Sequence, residues 1–416
     1  MNLSVTSEIG KLKGVVIHTP GPEVENMTPQ NAERALYSDI LNLNVAQNEY
    51  SQFKSVLEKI TSTYEIKGLL LETIKNGAAK TDLLFKICAN EEKEELKEYL
   101  DSISNEELVT QLIEGVPLER NTLTKFLSKE YYTIRPLHNF FFTRDSAVTV
   151  RDRMLITRMK NRIRKRESLI VETIFKYHPD FKVTLVNPEQ SEYFNEKISV
   201  EGGDVLVARD DVLLIGIGAR TSSQGVDFVM DCLKDRKEKR HIIVQELPQT
   251  PESFIHLDMV FTFLDKDKCM IYPPVIMSRH SYETVHIEID NGKVIAIEEE
   301  ENIIDALKKV GMDVEPIVCG GTSDEWIQER EQWHSGANFL AVAPGKLMGY
   351  ARNIYTLEEM NKHGYEIIHA KDIIKGKQAI DNYDKCVITI DGSELSRGGG
   401  GCRCMSMPIS RDDVEW

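Results

Sequence analysis

The stretch that decides the fold reads EGGDVLVARDDVLLIGI from Glu201 to Ile217. Two short apolar runs lie on either side of a charged turn at 209–211, and this pattern predicts a β-hairpin. A turn that carries two carboxylates, Glu201–Asp204, stands directly before the first strand, where an apolar residue would be expected. A polar entrance followed by a hairpin is therefore the unit from which the rest of the chain can be interpreted.

Three further segments repeat the pattern of strand, short turn and strand, namely 140–157, 257–276 and 338–350. Helical patterns and short apolar strands alternate with the hairpins. The helical patterns cover 167–177, 222–235, 301–310 and 357–363, and the strand patterns cover 183–186, 242–244 and 366–369. One hairpin, one helix and one strand per unit is a repeated supersecondary module, although the units share negligible sequence identity. Such modules can stack around an axis like propeller blades, with polar groups at the inner strand ends lining a central site.

Between residues 70 and 130 the sequence shows mainly helical patterns and no strand patterns. Ser104 is placed to cap a run at 108–114 that Gly115 can terminate. We predict an all-helical insertion at 70–130, with residues 1–69 and 131–416 forming one catalytic domain. Before the insertion, apolar residues near helical period predict a helix over 31–64.

The composition excludes several classes of protein. Of the 416 residues, 28% are charged and 41% hydrophobic, which is ordinary for a soluble globular protein. No apolar run approaches the ~20 residues that span a bilayer, and a net charge of -16 argues against a nucleic-acid partner. The N-terminus has no signal-peptide pattern, and the seven cysteines are not clustered in even spacing. We therefore expect a cytoplasmic protein with no membrane or nucleic-acid partner.

Residues 398–408 read GGGGCRCMSMP, a glycine run that leads into two cysteines. Four glycines allow positive φ and close backbone approach, and a thiol beside Arg403 has surroundings that favour the thiolate. A flexible tail and a C-x-C metal half-site are the alternatives. The apolar residues that follow argue against a tail, and the scattering of the other cysteines argues against a metal. The loop itself leaves open whether Cys402 or Cys404 is the nucleophile, since both would share a face in an extended chain.

The other hairpin entrances are also polar: NFFFTRD at 139–145, HLD at 256–258 and GAN at 336–338. A single aspartate here could be an Asx-turn, but three carboxylate-bearing entrances in equivalent places predict a common pocket. Paired carboxylates bind a guanidinium or ammonium group through charge-assisted hydrogen bonds. His256 and Asp258, two residues apart on a predicted strand, would face the same side and could act together in acid–base catalysis.

The ordered set of FTRD (142–145), EGGD (201–204), HLD (256–258) and CMSMP (404–408) resembles that of bacterial arginine deiminases. Further matches lie at 215–222, 329–333 and 350–353, and the family carries a helical insertion like the one predicted at 70–130. Each motif alone is weak, whereas the ordered set is specific and covers essentially the whole chain. We accordingly predict a five-bladed α/β propeller of repeated ββαβ modules with an inserted helical subdomain.

The resemblance implies hydrolysis of L-arginine to L-citrulline and ammonia in arginine catabolism, with no metal or organic cofactor. A thiolate attacks the guanidinium carbon, ammonia leaves, and the thiouronium adduct is hydrolysed. The family's nucleophile directly precedes Met-x-x-Pro, which selects Cys404. Asp145 and Asp258 would clamp the guanidinium, while His256 would act first as acid and then as base, with Glu201 holding its ring.

The resemblance also implies how the rest of the substrate is held, in a protein that we expect to be a homo-oligomer. Arg164, in a basic stretch at 151–166 that is otherwise a solvated helix face, and Arg220 would bind the substrate carboxylate. The remaining predicted contacts are Asn139 as a donor, Phe142 as a wall, the backbone carbonyl of Leu36, Asp204 and Arg397. Many relatives carry a second arginine where this chain has Gly399, and a residue other than cysteine at Cys402. Arg397 would compensate for the missing arginine.

Two other functions remain as alternatives. One is a different guanidino-modifying activity, such as that of an amidinotransferase or a dimethylarginine hydrolase, which the helical insertion and the cation pair disfavour. The other is a non-catalytic arginine-binding or regulatory paralogue. Loss of the nucleophile or the base would mark such a paralogue, and this chain retains both.

Overall fold

The computed structural model describes residues 2–29, 32–37, 39–192, 194–235, 237–278 and 281–416, which form a mixed α/β fold. The described strands are β1 (Leu12–Ile17), β2 (Ser62–Glu65), β3 (Val116–Pro117), β4 (Tyr132–Ile134), β5 (Ala147–Val150), β6 (Arg153–Ile156), β7 (Thr184–Val186), β8 (Val205–Arg209), β9 (Val212–Ile217), β10 (Arg240–Glu246), β11 (Phe261–Asp265), β12 (Lys268–Ile271), β13 (Thr284–Asp290), β14 (Lys293–Glu300), β15 (Glu315–Val318), β16 (Leu340–Ala343), β17 (Lys346–Tyr350), β18 (Glu366–His369), β19 (Cys386–Ile390) and β20 (Met407–Arg411).

The described helices are α1 (Pro22–Glu25), α2 (Leu43–Ile60), α3 (Ile66–Thr73), α4 (Gly77–Glu91), α5 (Lys97–Ser102), α6 (Asn105–Glu114), α7 (Leu123–Leu127), α8 (Lys165–Tyr177), α9 (Ser223–Leu233), α10 (Pro273–Ile276), α11 (Ile303–Lys309), α12 (Glu325–Trp333), α13 (Ile354–Lys362) and α14 (Ala370–Ile374). Within the part of the chain that the structure describes, none of these helices is both long and apolar enough to cross a membrane.

All four predicted hairpins are confirmed as antiparallel pairs: β5–β6, β8–β9, β11–β12 and β16–β17. The second strand of each hairpin pairs in parallel with a later strand, which is β7, β10, β15 and β19 respectively. A fifth sheet has the same arrangement, because β20 and β1 are antiparallel and β1 pairs in parallel with β2. The two ends of the chain thus complete a unit that local patterns do not reveal.

The polar entrances are short 3-10 turns, at Thr143–Ser146, Gly202–Asp204 and Leu257–Met259. The prediction that His256 and Asp258 share one face of a strand is therefore wrong, since His256 caps the third turn and Asp258 lies within it. The turns pack against one another too closely for larger residues. A Cβ on Gly202 would lie 2.0 Å from the Arg144 carbonyl oxygen, and one on Gly203 would lie 2.5 Å from the His256 ring.

The predicted insertion consists mainly of helices, but it is not all-helical, because β3 pairs with β4 across its base. The predicted signals at one helix are confirmed: the Ser104 hydroxyl accepts a hydrogen bond from the Glu107 amide (3.1 Å), and Gly115 ends α6 with φ of 97°. Apolar residues of α3, α4 and α6 share one buried cluster with residues of α8 and β20. The division into a helical insertion and a catalytic domain stays a prediction.

The predicted helix over 31–64 is shorter in the structure. Residues 31 and 38 lie outside the described residues, and α2 begins only after Asn42, whose side chain accepts from the Val45 amide (3.2 Å). Leu36 instead adopts a left-handed conformation with φ of 65°. Asp39 forms an ion pair with Arg397, which ties the segment before α2 to the glycine loop.

Candidate active site

The polar turns and the glycine–cysteine loop converge on one cavity. Most of the predicted site residues line it, namely Leu36, Asn139, Phe142, Asp145, Arg164, Arg220, His256, Arg397 and Cys404. Three predicted residues, Glu201, Asp204 and Asp258, are fully buried directly behind this lining. Residues separated by more than 350 positions in the chain are therefore assembled in one place.

The glycine run is shaped by close contacts with its neighbours. Gly399 has φ of 83°, which favours glycine, and an added Cβ there would meet nothing within 4 Å. At Gly400 a Cβ would lie 2.6 Å from the Phe142 ring, and at Gly401 it would lie 2.6 Å from Asn338 Oδ1. The predicted close approach of the loop is therefore confirmed.

Asn338, from the fourth hairpin entrance, holds the turn that carries Cys404. Its Nδ2 donates to Cys404 Sγ (3.2 Å) and to the Asp258 carbonyl oxygen (3.0 Å). Its Oδ1 accepts from the Arg403 amide (3.0 Å) and the Cys404 amide (3.3 Å). Residues 402–405 form a turn, and both cysteines belong to one buried apolar cluster. Only Cys404 also lines the cavity.

Asp258 is anchored on one side only. Arg403 Nη1 donates to Asp258 Oδ2 (2.7 Å), and the same guanidinium binds both carboxylate oxygens of Glu8 (3.0 and 3.1 Å). The Cys404 thiol donates to Asp258 Oδ2 over 3.6 Å. The second oxygen, Asp258 Oδ1, is buried and receives no hydrogen bond from the described residues.

Asp145 repeats this arrangement on the other side of the cavity. Arg164 Nη1 donates to Asp145 Oδ2 (2.7 Å), and the rest of the Arg164 guanidinium binds Glu167 (3.0 and 2.8 Å). Asp145 Oδ1 is buried without a hydrogen bond from the described residues and lies 3.6 Å from His256 Nδ1. Arg164 therefore lines the cavity as predicted, but two carboxylates already engage it.

The predicted pairing of His256 with Glu201 is present as a hydrogen bond of 2.9 Å between Nε2 and Oε2. Burial by itself would lower the pKa of His256, but the charge of Asp145 and the hydrogen bond to Glu201 outweigh it and raise the pKa to about 9. Burial would raise the pKa of Glu201, yet the hydrogen bond to His256 and the charge of Arg220 hold it below its usual value. His256 is consequently an imidazolium at neutral pH.

The prediction that the loop favours a thiolate is wrong for this state of the site. Burial and the charges of Asp258 and Asp145 raise the pKa of the Cys404 thiol well above its usual value. Arg403 opposes this effect too weakly, because its guanidinium is directed to Asp258 and Glu8. A cation placed between the two aspartates would offset the part of this rise that their charges cause.

Asp204 lies behind the cavity lining, as Glu201 and Asp258 do, and its predicted role as a substrate contact stays a prediction. Its Oδ1 accepts a hydrogen bond from the Leu257 amide (2.9 Å), and its buried Oδ2 receives none from the described residues. Burial raises its pKa to about 7. The carboxyl group therefore supports the turn that carries His256 and Asp258.

Among the arginines that line the cavity, Arg220 has the least engaged guanidinium, with Glu201 Oε1 4.0 Å away. Asn139 Nδ2 donates to the Ala35 carbonyl oxygen (2.8 Å), which holds the backbone next to Leu36. Arg397 is engaged by Asp39 and Glu394 and does not extend freely into the cavity.

Sequence reasoning missed three residues that hold this site. Asn338 was recognised as an entrance residue but not as the support of Cys404. Glu167 stands inside the basic stretch, where its contact with Arg164 could have been suspected from the spacing of three residues. Glu8 carried no signal, because it lies 395 positions from Arg403.

The raised pKa of His256 predicts a pH-dependent contribution to stability. A group whose pKa rises from 6.5 in the unfolded chain to about 9 in the folded protein stabilises fully below pH 6.5 and loses that contribution as the pH rises through 9. The free energy of unfolding of wild type relative to His256→Gln should therefore fall by about 3 kcal/mol between pH 6.5 and 9. Urea unfolding of both proteins across this range measures the difference.

His334→Gln is the matched control for this experiment. Burial and the charge of Arg352 lower the pKa of His334 to about 4, so the folded protein holds this residue neutral over the tested range and only the unfolded chain is partly charged near pH 6.5. Its stability difference from wild type should therefore change by no more than about 0.4 kcal/mol. An equally small change for His256→Gln would contradict the charged His256–Glu201 pair.

Comparisons with known proteins cover nearly the whole chain. The family model described as arginine deiminase matches residues 33–411. A protein named arginine deiminase from Bacillus cytotoxicus is 33% identical over 99% of this chain and 99% of its own. Another of that name, from Bacillus thuringiensis subsp. konkukian, is 34% identical with the same coverage.

Solved structures resemble the fold at low sequence identity. Unliganded AgrE matches with a TM-score of 0.53 and 12% identity over 97% of this chain, which spans 40% of the AgrE chain. SxtG, an amidinotransferase from Microseira wollei in the saxitoxin biosynthetic pathway, matches with a TM-score of 0.55 and 11% identity, covering 99% of this chain and 98% of its own. These two similarities establish the fold alone.

Proposed function

Since the chain belongs to the arginine deiminase family, we propose that it hydrolyses L-arginine to L-citrulline and ammonia, with Cys404 as the nucleophile. The observation that carries this function is a matched pair of carboxylates beside the thiol. Asp145 and Asp258 each have one oxygen bound by a buried arginine and one buried oxygen without a hydrogen bond from the described residues. Buried acceptors of this kind are costly unless a donor fills them.

A guanidinium group fits these two acceptors. It is planar, carries N–H donors on opposite edges, and binds carboxylates through charge-assisted hydrogen bonds. Placed between Asp145 Oδ1 and Asp258 Oδ1, it brings its central carbon next to Cys404 Sγ, which lies 3.6 Å from the other oxygen of Asp258. Burial and the charges of these two carboxylates raise the pKa of the Cys404 thiol. The positive charge of the guanidinium offsets the effect of the carboxylates, so substrate binding itself favours the thiolate.

The reaction then proceeds in two halves. The thiolate attacks the guanidinium carbon to form a C–S bond, and the C–N bond breaks as the His256 imidazolium gives a proton to the departing ammonia. In the second half, neutral His256 takes a proton from water, and the resulting hydroxide attacks the thiouronium carbon. The C–S bond then breaks as the hydroxyl proton of the tetrahedral intermediate passes to the departing sulfur, which releases citrulline and restores the thiol. Glu201 fixes the ring through Nε2, which leaves Nδ1 on the side of Asp145 for the proton transfers.

The other end of L-arginine requires a cation for its carboxylate. We assign Arg220 to this role because its guanidinium is the least engaged in the lining, and we assign Arg164 to the positioning of Asp145. Asn139 adds a donor, and Phe142 packs along the alkyl chain, with the Leu36 carbonyl oxygen accepting from the α-amino group. We assign Arg397 a structural role, in which its ion pair with Asp39 holds the loop that contains Gly399.

The propeller architecture, the domain boundaries, the metabolic role, the oligomeric state and the cellular location are also proposals. Five sheets of like arrangement support a five-bladed propeller of ββαβ modules around the cavity. We further propose a catalytic domain at 1–69 and 131–416 with the insertion at 70–130, a role in arginine catabolism, and a homo-oligomer in the cytoplasm.

The test is to incubate the purified protein with L-arginine and to measure citrulline and ammonia. Equal amounts of both products are expected. Ornithine with urea would indicate an arginase-like reaction, and transfer of the amidino group to an added amine would indicate an amidinotransferase. Binding of L-arginine with no product would identify a non-catalytic paralogue. Each of these three results would overturn the proposed function.

A further inference from the structure

Asn338 stands where other units of the fold carry a group that takes part in the proposed reaction. Asp145 lies two residues before β5, and Asp258 and Cys404 lie three residues before β11 and β20. Asn338 lies two residues before β16, the first strand of the fourth hairpin. Turns at equivalent ends of repeated units come together, so this side chain reaches the same place as the other three. The proposed reaction steps use those three and leave Asn338 without a part.

The two ends of the buried Asn338 amide make different contacts. Its Oδ1 accepts from the backbone amides of Arg403 (3.0 Å) and Cys404 (3.3 Å). Its Nδ2 donates to Cys404 Sγ (3.2 Å) and to the Asp258 carbonyl oxygen (3.0 Å). Two backbone N–H groups require an acceptor on one side, and a carbonyl oxygen requires a donor on the other. The orientation of the amide is therefore fixed, with its NH₂ group facing the sulfur.

The Cys404 sulfur lies in surroundings that oppose its ionisation. Burial and the charges of Asp258 and Asp145 raise the pKa of its thiol, and the Gly401 amide opposes them through a hydrogen bond. Among the described side chains, Asn338 alone donates a hydrogen bond to Sγ. A donor to the sulfur stabilises the charged form of the group over the neutral form.

We propose that Asn338 is a catalytic residue that stabilises the Cys404 thiolate by donating a hydrogen bond from Nδ2 to Sγ. This assignment rests on the proposed function, in which Cys404 is the nucleophile. In the thiol, the sulfur gives its own proton to a hydrogen bond with Asp258 Oδ2 over 3.6 Å. When the thiol loses that proton to solvent, the bond to Asp258 disappears. The bond from Asn338 then becomes charge-assisted, which makes it roughly twice as strong as one between neutral groups.

An amide suits this position better than a charged side chain. A lysine or arginine beside the sulfur would pair with Asp145 or Asp258 and would compete with the substrate guanidinium for their free oxygens. Asn338 provides a donor without a charge, and its place is fixed before the reaction starts. The glycine loop closes against it, since a Cβ on Gly401 would lie 2.6 Å from Asn338 Oδ1. A preorganised donor of this kind needs no rearrangement when the charge forms.

Asn338→Asp separates donation to the sulfur from support of the turn. Aspartate keeps an acceptor for the amides of Arg403 and Cys404 but replaces the donor at Nδ2 with an oxygen. Alkylation of Cys404 by iodoacetamide at mildly alkaline pH should slow by at least about threefold. Losing a hydrogen bond to a charged group lowers the thiolate fraction about tenfold or more, and the greater nucleophilicity of a more basic thiolate offsets about half of this on a logarithmic scale. Trypsin cleaves after Arg403, so mass spectrometry follows Cys402 and Cys404 in separate peptides.

Asn353→Asp is the matched control, because Asn353 is also buried and its Nδ2 donates to the His334 carbonyl oxygen (3.1 Å), outside the described cavity lining. It should leave the alkylation rate of Cys404 unchanged. Asn338→Ala removes both the donor and the acceptor and should slow alkylation as Asn338→Asp does. A wild-type rate in Asn338→Asp would overturn the proposal, whatever the rate in Asn338→Ala, since Asn338 would then only hold the turn.

Steady-state kinetics with L-arginine give the second readout. In Asn338→Asp, kcat should fall by at least about threefold while KM stays within about twofold, because the groups that bind the substrate are retained. An unchanged kcat would overturn the catalytic role. The alkylation assay needs no L-arginine, so a wild type that forms no citrulline would refute the proposed function and leave the effect of Asn338 on the thiol measurable.

Nuclear magnetic resonance tests the hydrogen bond without a substitution at Asn338, in case its variants fail to fold. In protein labelled with ¹⁵N at asparagine, wild type and Cys404→Ala are compared. One side-chain amide proton should change its chemical shift and exchange faster with water in Cys404→Ala, because the sulfur that accepts from it is gone. Asparagine side-chain signals that are the same in both proteins would show that no such bond exists and would overturn the proposal.

Discussion

Cys404→Ser should abolish the conversion of L-arginine to L-citrulline, whereas Cys402→Ser should leave the turnover of the folded protein close to that of wild type. Serine has nearly the same shape as cysteine but is a poor nucleophile, and the nearby His256 is already protonated and cannot activate it. Removing a nucleophile that works as part of a catalytic unit costs about 10⁴-fold or more in kcat. Citrulline formation under saturating L-arginine measures the loss.

The two substitutions should have different effects because the two cysteines lie in different surroundings. Cys404 Sγ is held by Asn338 and lies beside Asp258 at the cavity wall. Cys402 is packed among apolar side chains, where burial raises the pKa of its thiol. Serine at 402 buries a hydroxyl group without a designed partner and should cost about 1–3 kcal/mol of unfolding free energy. Cys402→Ser should therefore lower the melting temperature without lowering kcat.

Mass spectrometry of the acid-quenched reaction offers an independent readout. A peptide carrying Cys404 should show the mass of the thiouronium adduct during turnover, and the peptide from Cys404→Ser should not. If Cys402→Ser fails to fold, Cys402→Ala retains the apolar packing and serves in its place. Full activity in Cys404→Ser, or an adduct on Cys402, would refute the assignment of the nucleophile.

The hairpins could be predicted from the sequence because the information that forms them is local. In β8–β9, two apolar runs and the charged turn between them lie within a few residues of one another. The fifth sheet could not be found in this way. Its antiparallel pair joins Val16 to Met407, and no local pattern records which distant strand an edge will meet.

The candidate site, too, could be predicted only where neighbouring residues carry the information. Polar residues at hairpin entrances indicated a shared pocket, since turns at equivalent ends of repeated units come together. The protonation of Cys404 was predicted wrongly because it depends on burial and on Asp145 and Asp258, which neighbouring residues in the sequence do not reveal. Arg403 looked like the partner of the thiol, yet its guanidinium binds Asp258 and Glu8.

Asp258→Asn should lower kcat/KM for L-arginine by about 10²–10⁴-fold, and Asp145→Asn should do the same. In each case the amide keeps the shape of the side chain but loses the charge that binds the guanidinium. Leaving one partner of a buried charge pair uncompensated costs about 2–5 kcal/mol, and each 1.36 kcal/mol of barrier is tenfold in rate. The buried Arg403 or Arg164 then also faces a neutral group.

Asp204→Asn is the control that separates substrate contact from structural support. Asp204 makes its hydrogen bond to the Leu257 amide with an oxygen that asparagine retains, whereas Asp258 contacts Cys404 and Arg403 directly. Its kcat/KM should fall by less than about tenfold, because only the position of His256 and Asp258 can shift. Steady-state kinetics of the three variants at one pH give the comparison directly.

The pattern across the three variants discriminates between two arrangements of the substrate. If the guanidinium lies between Asp145 and Asp258, their losses are equal within about a factor of ten, since each contributes one free buried oxygen of the same kind. If Asp204 instead contacts the substrate, Asp204→Asn falls into the same range as the other two. That result would refute the clamp, because Asp204 would then contribute to guanidinium binding as strongly as Asp145 and Asp258.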